Sequence, residues 1–282
     1  MKSKKLWLQI LRFFIIWFFF CVISYAIVIL PFYPDAIQLS RERHIAKDSE
    51  NALFSILTHV AILVGTLSSI WYVKKKIEKS AFSNFYSLDF KGLFLGSTLG
   101  VILILLCAFF MVFSSIVSFS YLSLSNTPVL VMIFITVAIS EEVIYRGYLL
   151  NKLIEKLPAR SAIVISSLIF SLMHIGNSHF GLIGFINIFL SGILLAIIAL
   201  KGHNLWAPIG LHFTWNLTQA VLGFAVSGRN DMGLLTLNRH SSVDFLSGGE
   251  FGIEGSILLT IIVTISIFLI SKSTFLSESK KL

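Results

Sequence analysis

Charge is what this 282-residue chain has least of: Asp, Glu, Lys and Arg together supply 13% of it, about half the share found in a soluble domain. With 56% of the residues hydrophobic, a globule of this length would expose far more apolar surface than one core can hide, so an ordinary water-soluble fold is excluded. Cysteine is nearly absent as well. Cys21 and Cys107 each sit inside an apolar run with no CxxC spacing, which excludes a disulfide framework and reads as packing. A cleavable leader is also lacking, because the first apolar run, residues 6–30, exceeds the roughly 7–15 residues of a signal core and carries no small-residue cleavage site before Pro31. That run reads as a retained span. No internal repeat and no low-complexity tract is found. The net charge of +8 lies mostly between apolar runs, where anionic lipid headgroups explain it better than nucleic acid.

What the chain has in abundance is apolar runs near the roughly 20 residues that cross a bilayer. They fall at 6–30, 52–73, 93–118, 128–157, 159–175, 180–200, 205–222 and 255–275. The expected fold is therefore all-α, a polytopic membrane bundle of about eight transmembrane helices. Pro128, Pro158 and Pro208 stand near starts or turns, where a missing N–H matters least. With the N-terminus inside, the outer loops hold Arg41, Arg43, Lys47, Arg229 and Arg239, and the spans hold Arg12 and Arg146. The other fifteen of the 22 basic residues fall to the inner segments. That asymmetry predicts a multi-pass cell-membrane protein with both termini cytoplasmic. Two outer loops stand out: 32–51, of ordinary polar character, and the longer, glycine-punctuated 223–254, a lid or a connector.

Among the 14 acidic residues, Glu141 and Glu142 lie deep inside an apolar run, where an ionisable group costs about 2.5–3.5 kcal/mol on the insertion scale. Arg146 follows Glu142 by four residues and shares its helix face, so these two can pair. Glu141 points about 100° away, and its neighbours at three and four residues, Val137, Ala138, Ile144 and Tyr145, offer no positive charge. One carboxylate looks structural and the other available. Phe170 and His174 are spaced i, i+4 near the end of the fifth span, and His212 and Asn216 likewise in the seventh, so each pair shares one helix face. His59, alone in the second span, reads as a hydrogen-bonded packing residue. Counted from the turn at Pro158, Glu141 lies 17 residues before and His174 16 after, both about 25 Å away at 1.5 Å per residue. His212 and Asn216 lie about 8–12 residues beyond the turn near Asn204, which sets them lower unless that turn is re-entrant or the helices tilt.

The segments EEVIYR at 141–146, FSLMH at 170–174 and HFTWN at 212–216 resemble the EExxxR, FxxxH and HxxxN motifs of the CAAX-protease and bacteriocin-processing (CPBP, or Abi) family, in that family's order and complete. The segment GGEFGIEG at 248–255 resembles a stretch that follows the core in bacterial members. The resemblance divides the chain into motif-free N-terminal helices at 1–119, a CPBP-like core of four helices at 120–222, and an outer glycine-rich loop with a last helix at 223–282. It implies that Glu141 is the general base activating water and that His174 orients that water. It further implies that His212 and Asn216 stabilise the oxyanion, while Glu142 and Arg146 hold the site together. A carboxylate in a low-dielectric cavity suits the role of base. Glu141, His174 and His212 would also make a plausible zinc set, yet HExxH is absent and the glutamate–histidine mechanism needs no metal, so no cofactor is required and zinc remains the alternative.

The function expected from these residues is an intramembrane endopeptidase acting on membrane-associated proteins or peptides, in CAAX-type processing or in bacteriocin maturation and self-immunity. Its partners would be the bilayer and a protein or peptide substrate. A non-catalytic immunity or scaffold protein of the same family is the first rival. A proton-coupled transporter is the second, against which stands the lack of an inverted repeat.

Overall fold

The computed structural model describes residues 2–32, 48–80, 88–122, 127–229, 234–240 and 244–273. Within them lie eight long helices, at the places where the apolar runs predict them. They are α1 (Lys2–Ile29), α2 (Asp48–Tyr72, prolonged by a π-helical turn Val73–Glu78), α3 (Phe90–Phe113), α4 (Thr127–Ile154), α5 (Ala159–Leu172), α6 (Leu182–Gly202), α7 (Trp206–Val221) and α8 (Ile257–Lys272). α1, α2, α3, α4 and α6 have the length and apolarity to cross a bilayer. Large apolar side chains stand exposed along them, Phe18, Phe19, Phe94, Phe109 and Phe113 among them, as lipid contact requires. The protein is an all-α, multi-pass membrane bundle.

Three spans are shorter than the sequence suggests. α5, α7 and α8 have 14, 16 and 16 residues, or about 21–24 Å of helix against a hydrocarbon core of roughly 30 Å. The missing length is taken up by turns at 173–181 and by the segment between α7 and α8. That segment is not a plain outer loop. Its residues Leu235–Arg239 form β2, paired antiparallel with β1 (Val117–Leu122), which follows directly on α3. Most of the outer loop 32–51 lies outside the described residues.

Contacts between helix ends define two poles. At one, Asp89 accepts the Gly92 amide to cap α3 and also binds Asn204 Nδ2 at 2.8 Å, just before α7. At the same pole Lys201 at the end of α6 reaches the Ser273 carbonyl beyond α8, and Lys152 of α4 pairs with Glu78 at the end of α2. Phe13 near the start of α1 stacks on Tyr148 of α4. The opposite pole carries the β-ribbon, the 173–181 turn and the 222–256 segment. There Arg239 bonds Glu250 and holds that carboxyl below its ordinary value. Being a depressed carboxylate, this tie is present above the ordinary value and is lost as pH falls through the depressed one.

α3 and α7 run parallel and very close. Gly92, Gly96 and Gly100 repeat at every fourth residue of α3, and Gly96 leaves room for the backbone of Ala207. Gly100 faces Leu211 and Thr214 of α7, and Gly210 faces Leu93 and Ser97 of α3. Small residues at this spacing let two backbones approach in lipid, where dispersion and close polar contacts replace the hydrophobic drive. Thr214 Oγ1, donating to the Ser97 carbonyl at 2.8 Å, uses that proximity. Replacing Gly96 by Leu forces a side chain into the Ala207 backbone and should destabilise by about 1–3 kcal/mol, read as a lower thermal midpoint in detergent. Gly176→Ala, where an added Cβ meets nothing within 4 Å, should leave the midpoint unchanged.

Candidate active site

The site is built around a carboxylate that has no surface left. Glu142 is 0% exposed and Arg146 2%. Arg146 Nη1 donates to Glu142 Oε1 at 2.6 Å, the i, i+4 pairing expected from the sequence. The same Oε1 lies 2.8 Å from His212 Nδ1 on α7, so one oxygen joins two helices. Because a carboxylate oxygen accepts, the Nδ1 of His212 carries the proton. Arg146 spends its second arm on the Gly192 carbonyl of α6 at 3.2 Å, and its guanidinium lies 4.5 Å from the centre of the Phe170 ring, a cation–π contact strengthened by desolvation. Gly192 permits this by packing directly on Ser167 of α5. Four helices thus converge on one ion pair.

Local backbone supports the arrangement. Directly after Glu142, residues Val143–Leu150 form a π-helix, a widened turn met mostly at functional sites. The carbonyls displaced where it returns to α-helix are bonded by Asn151 Nδ2, which reaches both Arg146 and Gly147 at 3.0 Å.

Glu141 is differently housed. It keeps 28% of its side-chain surface, open to a cavity of about 470 Å³. Its Oε2 is buried and has no hydrogen-bond partner among the described residues. The nearest ring nitrogen is His212 Nε2 at 3.8 Å. His174 and Asn216 line the same cavity, so the four residues proposed from the sequence meet in one space. His174 lies just past the end of α5, in the turn, and its Nδ1 bonds the Phe170 carbonyl at 2.8 Å. That bond leaves Nε2 as the ring atom available to the cavity. The Phe170 ring packs edge-on against Tyr145, His174 and His212. Phe170 is therefore the spacer that sets the two histidines around the carboxylates.

The depth difference counted along the sequence is resolved by a step in the bundle. Glu142 lies 12 residues before the end of α4 at Ile154, and His212 six after the start of α7 at Trp206. They touch, so α7 begins roughly 9 Å nearer the site than α4 ends. Asp89 and Asn204 hold the starts of α3 and α7 together.

Sequence reasoning missed Glu254. It sits in the glycine-rich segment, 6% exposed, in the cavity wall. It accepts from Trp215 Nε1 at 3.0 Å, Gln219 Nε2 at 3.2 Å and Ser227 Oγ at 2.6 Å. Three donors satisfy this carboxylate, which binds α7 to the 222–256 segment. Asn187 of α6, fully buried, donates to the Glu254 and Ser256 carbonyls at 2.8 Å. The signal was the acid within 248–255, a stretch whose resemblance was noted without a role. Gly248 and Gly252, at φ +86 and +90 with their open sides against the Gly252 and Ala225 carbonyls, are positions in that stretch that only glycine suits. His59 also faces the cavity. It is hydrogen-bonded through Nδ1 to the Ser55 carbonyl at 2.7 Å, with Arg229 Nη1 at 3.1 Å from Nε2.

Against this geometry, residues 123–218 match the sequence model of a family described as Rce1-like, type II CAAX prenyl endopeptidase Rce1-like. Over that segment the chain is similar to CAAX-type membrane proteases. The match runs over α4 to α7 and contains all the motif residues, in agreement with the resemblance read from the three motifs. Comparison with curated proteins and with solved structures gives no match to the chain. The Rce1-like segment does not make the cavity alone. Trp17 and Cys21 of α1, His59 and Ile62 of α2, and Arg229 and Glu254 beyond α7 complete its wall.

Among the described residues no three His, Cys, Asp or Glu side chains are gathered so as to hold one metal ion.

Arg146→Ala strands Glu142 in a dry interior, which costs about 3–5 kcal/mol. The thermal midpoint and the yield of inserted protein should fall together. A variant of wild-type stability that has merely lost activity would move Arg146 from support into the chemistry.

Proposed function

We propose that the chain is an intramembrane endopeptidase that hydrolyses peptide bonds of membrane-associated proteins or peptides with water activated by Glu141 and His174. The observation that carries this reading is Glu141 Oε2, which has no hydrogen-bond partner among the described residues, belongs to a side chain lining the cavity and lies 3.8 Å from His212 Nε2. That separation is too long for a direct bond and short enough for both atoms to reach one water. Ser140 Oγ and Ser191 Oγ, both buried without a hydrogen-bond partner among the described residues and both on side chains lining the cavity, add to its call for water.

Glu141 takes a proton from that water as its oxygen attacks the scissile carbonyl carbon, and His174 Nε2 holds the water in line. The carbonyl oxygen becomes an oxyanion, which Asn216 Nδ2 and a doubly protonated His212, donating through Nε2, stabilise. Collapse of the tetrahedral intermediate breaks the C–N bond, and Glu141 returns the proton to the leaving amine. Fixed donors of this kind contribute about 2.7–4 kcal/mol. Glu142 faces the Nδ1 of His212 throughout and keeps its ring oriented. No step uses a metal.

Glu141→Gln nearly preserves volume and hydrogen bonding while removing the base, so turnover of a peptide substrate should fall at least about 10²-fold with the thermal midpoint near wild type. His174→Ala should fall similarly, and the double variant should be scarcely worse than either, since both act on one water. Full biological function in Glu141→Gln would replace the enzyme by the non-catalytic immunity or scaffold reading. Activity lost to a chelator and restored by zinc would keep the protease and overturn its metal-free form.

A further inference from the structure

The cavity is closed towards one pole and walled by turns towards the other, and charge tells which way it faces. Its lining on α4 runs from Ile133 to Tyr145 and goes no further. Beyond that level Tyr148, Leu149, Leu150 and Leu153 are all within 2% of complete burial, so packed helix closes the route to the pole of Lys74, Lys152 and Lys201. Towards the other pole the wall is made by Met173 and Asn177 of the α5–α6 turn and by Val226, Ser227, Arg229 and Glu254. Met173 is 53% exposed. The short helices α5, α7 and α8 leave this end hollow. The non-helical backbone that enters there is bonded internally through Glu254, Asn187 and Asn177, the last donating to the Ser227 carbonyl at 3.0 Å. Irregular backbone at membrane depth is tolerated where it lines a water-filled space.

The closed pole carries Lys74, Lys75, Lys76, Lys79, Lys91, Lys152, Lys156, Arg160, Lys201 and Lys272. Among the described residues the open pole has Arg229 and Arg239 as its basic residues, and it gathers Asp244, Glu250 and Glu254. Basic residues are retained on the cytoplasmic side.

Resting on the protease reading, we propose that the catalytic cavity opens to the extracytoplasmic face, so that its substrates are the extracytoplasmic segments of membrane-bound or exported polypeptides. A lipidated C-terminus presented from the cytosol would meet the closed, lysine-rich pole. Peptide-bond hydrolysis is then kept, with access from the extracytoplasmic side.

Two measurements on the full-length protein test this. Ser178→Cys stands next to the lining residue Asn177 and Lys156→Cys at the closed pole, both positions exposed. A membrane-impermeant maleimide applied to intact cells should label the first and not the second, with the wild-type chain as the control for Cys21 and Cys107. Labelling of Lys156→Cys from outside, with Ser178→Cys protected until the membrane is opened, would overturn the proposal. A quenched-fluorescent peptide library should then be cleaved by sealed right-side-out vesicles, and by inside-out vesicles only after detergent. Cleavage confined to sealed inside-out vesicles overturns the side of access. No cleavage even in detergent overturns the protease reading and the substrate class with it, while the labelling result still reports which way the cavity faces.

Discussion

Everything at the centre of this protein hangs on one buried oxygen, Oε1 of Glu142, which receives Arg146 from its own helix and His212 from α7. A carboxylate taken out of water is tolerable only if ionic and hydrogen-bonding partners replace its hydration. That demand fixes the geometry around it: Arg146 must lie down between Phe170 and the Gly192 carbonyl, and the His212 ring must turn its Nδ1 inward. Once Nδ1 is held, Nε2 faces the second carboxylate. The adjacent glutamates are thus unequal by construction: Glu142 is tied through Oε1 to Arg146 and His212, while Glu141 is open to the cavity.

Close packing makes that constraint geometrically possible. The glycines of α3 draw α7 in, and α7 starts well inside the bundle, so that His212 comes level with Glu142 although it lies near the start of its helix. Shortened α5, α7 and α8 leave a hollow that the glycine-rich segment enters, with Glu254 and Asn187 satisfying its polar groups. A second buried carboxylate, Glu254, therefore stabilises the wall. Helices α1 and α2, which carry none of the three motifs, are nevertheless needed to enclose the same space.

What could be read along the chain was whatever is local. The Glu142–Arg146 pair follows from a four-residue spacing, the isolation of Glu141 from its neighbours at three and four residues, and the eight helices from runs of apolar side chains. What could not be read depends on how helices are offset. The sharing of Glu142 with His212 spans 70 residues, and residue counting alone set those two at different depths. The Gly92–Gly96–Gly100 repeat was present in the sequence, but an apolar run does not reveal which of its faces meets a partner. Glu254 was hidden for the opposite reason. It stands among glycines in what looks like a solvent loop, and only the donors of Trp215, Gln219 and Ser227 show that it is buried. The β-ribbon likewise joins 117–122 to 235–239 across more than a hundred residues.

The division of labour between the two glutamates can be observed directly in the His212 ring. Solid-state 15N spectra of histidine-labelled protein, with the His212 signals assigned by their disappearance in His212→Asn, report which ring nitrogen is protonated and bonded. In the wild type Nδ1 should carry a proton in a strong hydrogen bond. Glu142→Gln should shift that signal towards a weakly bonded ring, and Glu141→Gln should leave it in place while altering Nε2. His212 signals indifferent to Glu142→Gln would contradict the account, because the ring would then be oriented by something other than the buried carboxylate.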